Sequence, residues 1–248
     1  MKVPDISVVI PALHEPYLQK TVEDIQRHAE TEIEVLVGDD AVEKLGQRAL
    51  TNKLVKQARG KYILKTDAHC LFSQGFDKEL LKVADEKTIV APYLLRLDAE
   101  NWKPIPKPCT GSYVFDSNLV MQYGEENSEP VTETMCLQGS CWLVSRETYW
   151  DWDLGDESLG SWGGQGAELG IKAWYNGGKC VTNKNCYYAH LFREKEEDFP
   201  YKRDKAKIKV TTDEILKRYK DRRIAGLIKL FNYPADWTPE MVDILPVV

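Results

Sequence analysis

Asp67 and His69, in the run Lys65-Thr66-Asp67-Ala68-His69-Cys70, are an acid and an imidazole with one residue between them. They follow a short apolar run, Tyr62-Ile63-Leu64, that reads as a buried strand. At the end of such a strand the two side chains can aim a hard and a borderline donor at one metal ion. Carboxylate and imidazole suit Mn²⁺, and an ion held by so few donors keeps positions open for diphosphate oxygens. Asp-X-His is a short pattern, and a strand-end aspartate beside an unrelated histidine has the same spelling. Two more polar clusters, residues 11–15 and 38–40, bear on the choice.

These side chains need a scaffold, and the chain offers one by alternation. Ile6-Ser7-Val8-Val9-Ile10 is β-branched and apolar, and reads as a central strand ended by Pro11. Residues 16–30 carry Leu18, Val22, Ile25 and Ala29 on one helical face. Ile33-Glu34-Val35-Leu36-Val37 is a second strand, a helix is expected over 42–58 with Gly60 behind it, and a third strand over 61–66. A helix over 74–85 and a strand over 88–91, closed by Pro92, continue the pattern. Such alternation predicts an α/β fold, a mostly parallel sheet with helices on both faces. Ligands of these sheets sit beyond the carboxyl ends of the strands. Residues 11–15, 38–40 and 67–69 all fall there, which favours one shared site.

Further on, Trp102-Lys103-Pro104-Ile105-Pro106-Lys107-Pro108 can be neither regular helix nor central strand, and reads as an ordered loop over the sheet edge or a lid. A strand interrupted by Gly139 is expected over 135–145, a glycine-rich turn over 159–166 and a short helix over 167–176. Two short strands, over 181–182 and 187–189, lead to His190.

Composition bounds the function. At 248 residues and 43% hydrophobic, the chain has room for one large core or two small ones. No apolar run approaches the roughly 18 residues of a membrane span, and the first residues lack signal-peptide architecture, so a soluble cytoplasmic protein is expected. The six cysteines include no C-x-x-C pair, which argues for free thiols rather than a zinc site. The net charge of −6 is uneven: residues 201–231 hold 11 Lys/Arg against 4 Asp/Glu, a balance of +7, leaving −13 elsewhere. A basic surface built by the C-terminal segment is expected.

Several motifs then occur in a telling order: Ser7-Val8-Val9-Ile10-Pro11 with Glu15, Val37-Gly38-Asp39-Asp40, Gln47-Arg48-Ala49, Asp67-Ala68-His69-Cys70, Trp162-Gly163-Gly164 ahead of a Glu-bearing helix and Gly177-Gly178, Ala189-His190-Leu191-Phe192-Arg193, and Pro200-Tyr201. Together they resemble the GT-A nucleotide-sugar glycosyltransferases of family 2 type, and are most similar to the polypeptide N-acetylgalactosaminyltransferase-like branch. The resemblance covers roughly residues 5–201. It implies a Rossmann-like GT-A catalytic domain over 1–198, followed by a basic, mainly helical extension over 199–248 packed on it. It departs from the branch in four ways. Only seven residues separate Asp40 from Arg48, Gln165 stands where the branch has Glu after Trp-Gly-Gly, the loop from His190 to Tyr201 is longer than usual, and no C-terminal lectin domain is expected.

The resemblance also implies roles. Asp67, His69 and His190 would hold Mn²⁺ or Mg²⁺. Pro11, Ala12, Glu15, Asp39, Asp40, Arg48 and Ala68 would serve the nucleotide, with Gly163, Gly164 and Tyr201 closing the donor site. Trp162, Gln165, Glu168 and Arg193 would meet the sugar, acceptor or diphosphate. Structural alternatives stand beside each: Asp39 and Asp40 as helix caps, Arg48 on a helix surface, His190 and Trp162 in the core, Gln165 and Glu168 as caps, Arg193 paired with a surface acid.

The reading that follows is a metal-dependent transferase moving a sugar from a UDP-sugar to a hydroxyl, with retention and with the departing diphosphate taking the proton. Inversion would need a carboxylate base, for which Glu168 is the candidate. The acceptor is either a protein Ser/Thr or a hydroxymethylated DNA base, whose phosphates Lys202, Arg203, Lys205, Lys207 and Lys209 could track. No membrane partner is expected. The alternative is a non-catalytic nucleotide-sugar or nucleic-acid binding module, supported by Gln165 alone.

Overall fold

A computed structural model describes residues 3–108, 111–193, 195–202, 205–220 and 222–245. In chain order the elements are β1 (Ile6–Ala12), α1 (Leu18–His28), β2 (Ile33–Asp39), α2 (Asp40–Glu43), α3 (Gln47–Gln57), β3 (Tyr62–Thr66), β4 (Cys70–Phe72), α4 (Phe76–Leu81), β5 (Thr88–Asp98) and β6 (Lys103–Pro108). They continue with β7 (Tyr113–Phe115), β8 (Met121–Tyr123), β9 (Val131–Thr134), β10 (Cys141–Ser145), α5 (Arg146–Asp151), α6 (Gln165–Tyr175), β11 (Lys179–His190), α7 (Lys205–Tyr219), α8 (Arg222–Leu230) and α9 (Pro239–Asp243).

The main sheet has the order β2-β1-β3-β10-β5-β11-β4, with β6 on β5 and β9 on β11. β1 lies parallel to β2 and β3, β5 lies parallel to β11, and β10 enters antiparallel between the two groups. Successive side chains of a strand point to opposite faces, and both faces here are covered. Ile6, Val8 and Ile10 of β1 join the apolar layer that includes Ile25 of α1 and Phe76 of α4. Val9 joins the other layer, with Leu54 and Val55 of α3. The α/β sheet with helices on both faces expected from the alternation is therefore present. Ile215, Ile224, Ile228 and Trp237 of the C-terminal segment pack into the first layer. Among the described residues no helix is long and apolar enough to cross a membrane.

Five elements differ from expectation, each for a local reason. The helix expected over 42–58 is split: Lys44 and Gly46 adopt left-handed backbone, and α3 restarts at Gln47. β5 runs straight through Pro92 to Asp98. A proline lacks the N–H for a ladder, and β11 shifts register between Asn183 and Tyr187, beside that point. The two short strands expected near 181 and 187 are thus one bulged strand, β11. Only Cys141–Ser145 of the strand expected over 135–145 forms, because residues 135–139 instead pack on α6, where Gly166 and Gly170 let the backbones touch. The proline-rich stretch is an edge strand, β6.

β4 lies at the other edge of the sheet, and two of its backbone N–H groups are met by side chains of α1. Cys70 N donates to Thr21 Oγ1 (3.0 Å) and Phe72 N to Asp24 Oδ1 (2.7 Å). This pins the chain directly after His69.

Candidate functional site

The carboxyl ends of β1 and β3 and the end of β11 open onto a cleft of about 490 Å³. Its size is that of a small-molecule site. Asp67 leaves the end of β3, His69 sits in the link to β4, and His190 closes β11. His190 pairs with Cys70 in the β11–β4 ladder, and Leu191 N donates to His69 O (3.2 Å). The segment that carries Asp67 and His69 is thereby joined by backbone to His190, from a distant part of the chain.

Their donor atoms lie within 4.8 Å of one another. His69 Nε2 is 3.1 Å from His190 Nε2, and His190 Nε2 is 3.4 Å from Asp67 Oδ2. Donors at about 2.1 Å from a common octahedral ion stand about 3 Å apart when adjacent, so the cluster fits one divalent cation. The surrounding contacts set the donors. His69 Nδ1 faces Glu15 Oε2 at 2.9 Å, leaving Nε2 for the ion, and Glu15 is held in turn by Arg193 Nη2 at 2.8 Å. Asp67 Oδ1 accepts from Lys65 Nζ at 2.6 Å. Burial would raise the Asp67 carboxyl, but the Lys65 ammonium and the His190 hydrogen bond hold it far below the usual range. Burial likewise works against Glu15, and His69 and Arg193 override it downward. Both carboxylates are ionised.

Burial pulls the His190 imidazole down to about 4, against the raising effect of its hydrogen bond to Asp67. Its Nδ1 is buried with no hydrogen-bond partner among the described residues. The ring is therefore neutral at pH 7, as a metal ligand must be. A prediction follows for the metal-free protein. Unfolded, this ring takes a proton below about pH 6.5; folded, it refuses one until about 4. The unfolded state binds more protons in that window, so the stability contribution is full above 6.5 and declines as pH falls toward 4. Urea midpoints measured from about pH 7 to pH 4.5 should drop more steeply for the wild type than for His190→Gln.

The opposite wall is the turn before α6. Gly163 (φ 111°) and Gly164 (φ 62°) turn the chain so that Trp162, 41% exposed, faces the cleft. A Cβ on Gly164 would also meet Ile215 Cδ1 of α7 at 2.5 Å. Arg48 fastens this turn from behind. Its backbone N donates to Ser161 O (3.2 Å), Nη1 to Gly160 O (3.1 Å) and Nη2 to Gly163 O (2.8 Å). Nη2 also reaches Glu168 Oε2 (2.8 Å), whose Oε1 takes Lys172 Nζ (2.7 Å). Arg48 is 2% exposed and Glu168 is fully buried.

Of the residues singled out in the sequence, Pro11, Ala12, Glu15, Asp40, Asp67, Ala68, His69, Trp162, His190, Arg193 and Tyr201 line the cleft. Asp39, Arg48, Gly163, Gly164, Gln165 and Glu168 do not. Asp39 caps α2 through Ala41 N (2.9 Å). Asp40 both lines the cleft and holds the next turn, its Oδ1 accepting from Leu45 N and Gly46 N. Arg48 is not a surface helix residue but a buried tie. Sequence reasoning missed the aromatic rim, Phe192 and Phe199, and the buried Lys65. The phenylalanines flank Arg193, whose guanidinium lies 5.9 Å from the Phe199 ring centroid. That proximity was not legible without the loop's path.

No protein-family profile matches the chain. It is similar to the putative polypeptide N-acetylgalactosaminyltransferase 10 of Caenorhabditis briggsae, 29% identical over 154 residues that cover 58% of this chain. It is also similar to the putative polypeptide N-acetylgalactosaminyltransferase 13 of Drosophila melanogaster, 26% identical over 181 residues, 66% of this chain. The matched stretches span only 24% and 31% of those relatives. Among solved structures, GalNAc-T7 with UDP, GalNAc and Mn²⁺ superposes with a TM-score of 0.72 at 17% identity, covering 97% of this chain and 53% of that one. S. aureus TarS 1-349 in complex with UDP-GlcNAc superposes with a TM-score of 0.56 at 17% identity, covering 90% and 71%.

Proposed function

The chain has the GT-A glycosyltransferase fold, and we propose that it is a divalent-metal-dependent transferase moving a sugar from a UDP-sugar to a hydroxyl group, with a protein Ser/Thr as acceptor. One observation carries the reading: Asp67, His69 and His190 converge on a single ion position in the cleft that Asp40 and Trp162 also line. The ion would be Mn²⁺ or Mg²⁺, and when bound it supplies Lewis-acid stabilisation of the diphosphate leaving group. The chain's own residues do the rest. Asp40 and residues 11–15 lie at the strand ends where a nucleotide is held in sheets of this kind. Trp162 offers an apolar face to a sugar ring. Glu15 keeps Arg193 at the cleft, where a guanidinium can meet phosphate oxygens.

Retention is part of the proposal. Glu168, the carboxylate an inverting enzyme could use as base, is fully buried and bound to Arg48 and Lys172. The acceptor oxygen would bond to the anomeric carbon as the carbon–diphosphate bond breaks, and its proton would pass to a diphosphate oxygen. The test is a panel of UDP-sugars offered with Ser/Thr peptides in Mn²⁺, read by mass spectrometry. A peptide gaining one sugar mass, absent in EDTA, is the expected result; neither transfer nor UDP release from any donor would sink the proposal.

Trp162→Ala should lower kcat by about 10- to 100-fold through lost positioning of the sugar, with UDP affinity little changed. Calorimetry with UDP and Mn²⁺ checks this; a comparable loss of UDP affinity would place Trp162 on the nucleotide instead.

Hydroxymethylated DNA is the second acceptor reading. Lys202, exposed on the cleft where the basic segment begins, favours it. Arg203 and the side chains of Lys205 and Lys207 lie outside the described residues. Lys209 is paired with Asp213 (2.5 Å), and Arg218 with Glu214 (2.7 Å) and Asp156 (3.2 Å), which leaves α7 less available to phosphates. Transfer to such DNA across a salt series decides the matter, since each phosphate contact contributes about 0.9 to the salt slope on duplex DNA.

A further inference from the structure

Lys65 occupies the middle of the sheet, where an apolar residue would be ordinary. It is fully buried in β3, and its register neighbours are Val9 of β1 and Trp142 of β10. A buried ammonium among such neighbours is costly unless paired. It has two partners, Asp67 Oδ1 at 2.6 Å and Gly139 O at 2.7 Å. The first has a consequence for the ion position. Asp67 has one oxygen tied to Lys65, and the other, Oδ2, is the one beside His190 Nε2. The carboxylate can thus give the ion only one free oxygen, with a positive charge directly behind it. Glu15, the other carboxylate near the histidines, is matched in the same way by Arg193. Two carboxylates face two cations, and the protein meets a divalent ion with no net negative charge of its own.

We infer that Lys65 makes tight binding of the ion conditional on the donor's diphosphate. By engaging one Asp67 oxygen and offsetting its charge, it leaves the ion weakly held until diphosphate oxygens complete its shell. Lys65 acts through Asp67 and is a positioning residue. The inference rests on the metal site proposed above. It also makes the coupling reciprocal: the factor by which UDP tightens the ion is the factor by which the ion tightens UDP.

Mn²⁺ binding, followed by the electron paramagnetic resonance of the free aqueous ion, tests this with and without UDP. The proteins are wild type, Lys65→Met and Lys65→Gln, the last retaining a donor for Gly139 O. Circular dichroism establishes that each is folded. Wild type should bind Mn²⁺ weakly alone and at least about tenfold more tightly with UDP. Each folded variant should bind Mn²⁺ alone at least about tenfold more tightly than wild type, because a repelling charge is gone and Asp67 has both oxygens free. A residue that only filled space or propped Asp67 would give the opposite sign on removal. A folded variant with wild-type or weaker affinity for Mn²⁺ alone overturns the inference. So does a wild type that binds Mn²⁺ equally well with and without UDP, whatever the variants do. A wild type that binds no Mn²⁺ under either condition overturns the metal site itself.

Discussion

Asp67→Ala should reduce metal-dependent sugar transfer by about 10³-fold or more, since charge stabilisation by a bound ion is worth several kcal/mol in the transition state. Asp67 is the sole carboxylate among the three clustered donors. Without it two neutral imidazoles remain, and Lys65 loses its counter-charge 2.6 Å away. The ammonium would then repel a cation from the same position. The fold should persist at reduced stability: Lys65 is left buried with only the Gly139 carbonyl (2.7 Å) of its two partners, while the backbone of Asp67 is still held by Ser140 O (2.8 Å). Circular dichroism together with initial rates in saturating Mn²⁺ checks both halves. Wild-type turnover in this variant would show that the ion, if one is used, binds elsewhere.

Arg48→Met should be the most destabilising single change near the site. It breaks a buried pair and strands Glu168, which is fully buried, with Lys172 as its remaining cation. Breaking such a pair from one side costs about 3–5 kcal/mol. In a chain of this size that corresponds to roughly 6–20 °C in melting temperature. The carbonyls of Gly160 and Gly163 lose their donors at the same time, so the turn carrying Trp162 should loosen and transfer should fall even at temperatures where the variant is folded. Adding Glu168→Leu removes the stranded charge and should recover part of the stability but not the activity. If Arg48 touched only the nucleotide, Arg48→Met would weaken UDP binding and leave the melting temperature within about 2 °C of wild type.

The parts of this arrangement legible in the sequence are those written locally. β-branched runs mark β1, β2 and β3, and a polar residue just after each marks the cleft edge, which is how residues 11–15, 38–40 and 67–69 could be grouped. His190 stands 121 residues beyond His69 and could be joined to it only through motif resemblance; in the structure the β11–β4 ladder makes the join. The length of β11 was illegible because a bulge at 183–187 interrupts its apolar pattern, and β5 was cut short because Pro92 reads as a terminator unless the neighbouring strand is known to shift there. Buried charges are the hardest to read. Arg48 and Lys65 have the spelling of surface residues; the distant Glu168 makes burial possible for the first, and nearby Asp67 together with the distant Gly139 carbonyl for the second. Lys65 in particular sits inside an apolar strand run, where period-2 reasoning would place it on an exposed face.

The most direct test of the metal site as the seat of the chemistry is UDP release, without acceptor, from each donor of the UDP-sugar panel, comparing wild type with His190→Ala in Mn²⁺ and in EDTA. His190 lies at the end of β11 with Nε2 toward both other ligands, and its replacement removes a donor and its contact with Asp67 while leaving the Lys65–Asp67 and Arg193–Glu15 pairs in place. The expected result is slow release by wild type in Mn²⁺, none in EDTA, and none from the variant in either. Release by wild type that persists in EDTA, or equal release by His190→Ala in Mn²⁺, would contradict a catalytic ion at Asp67, His69 and His190.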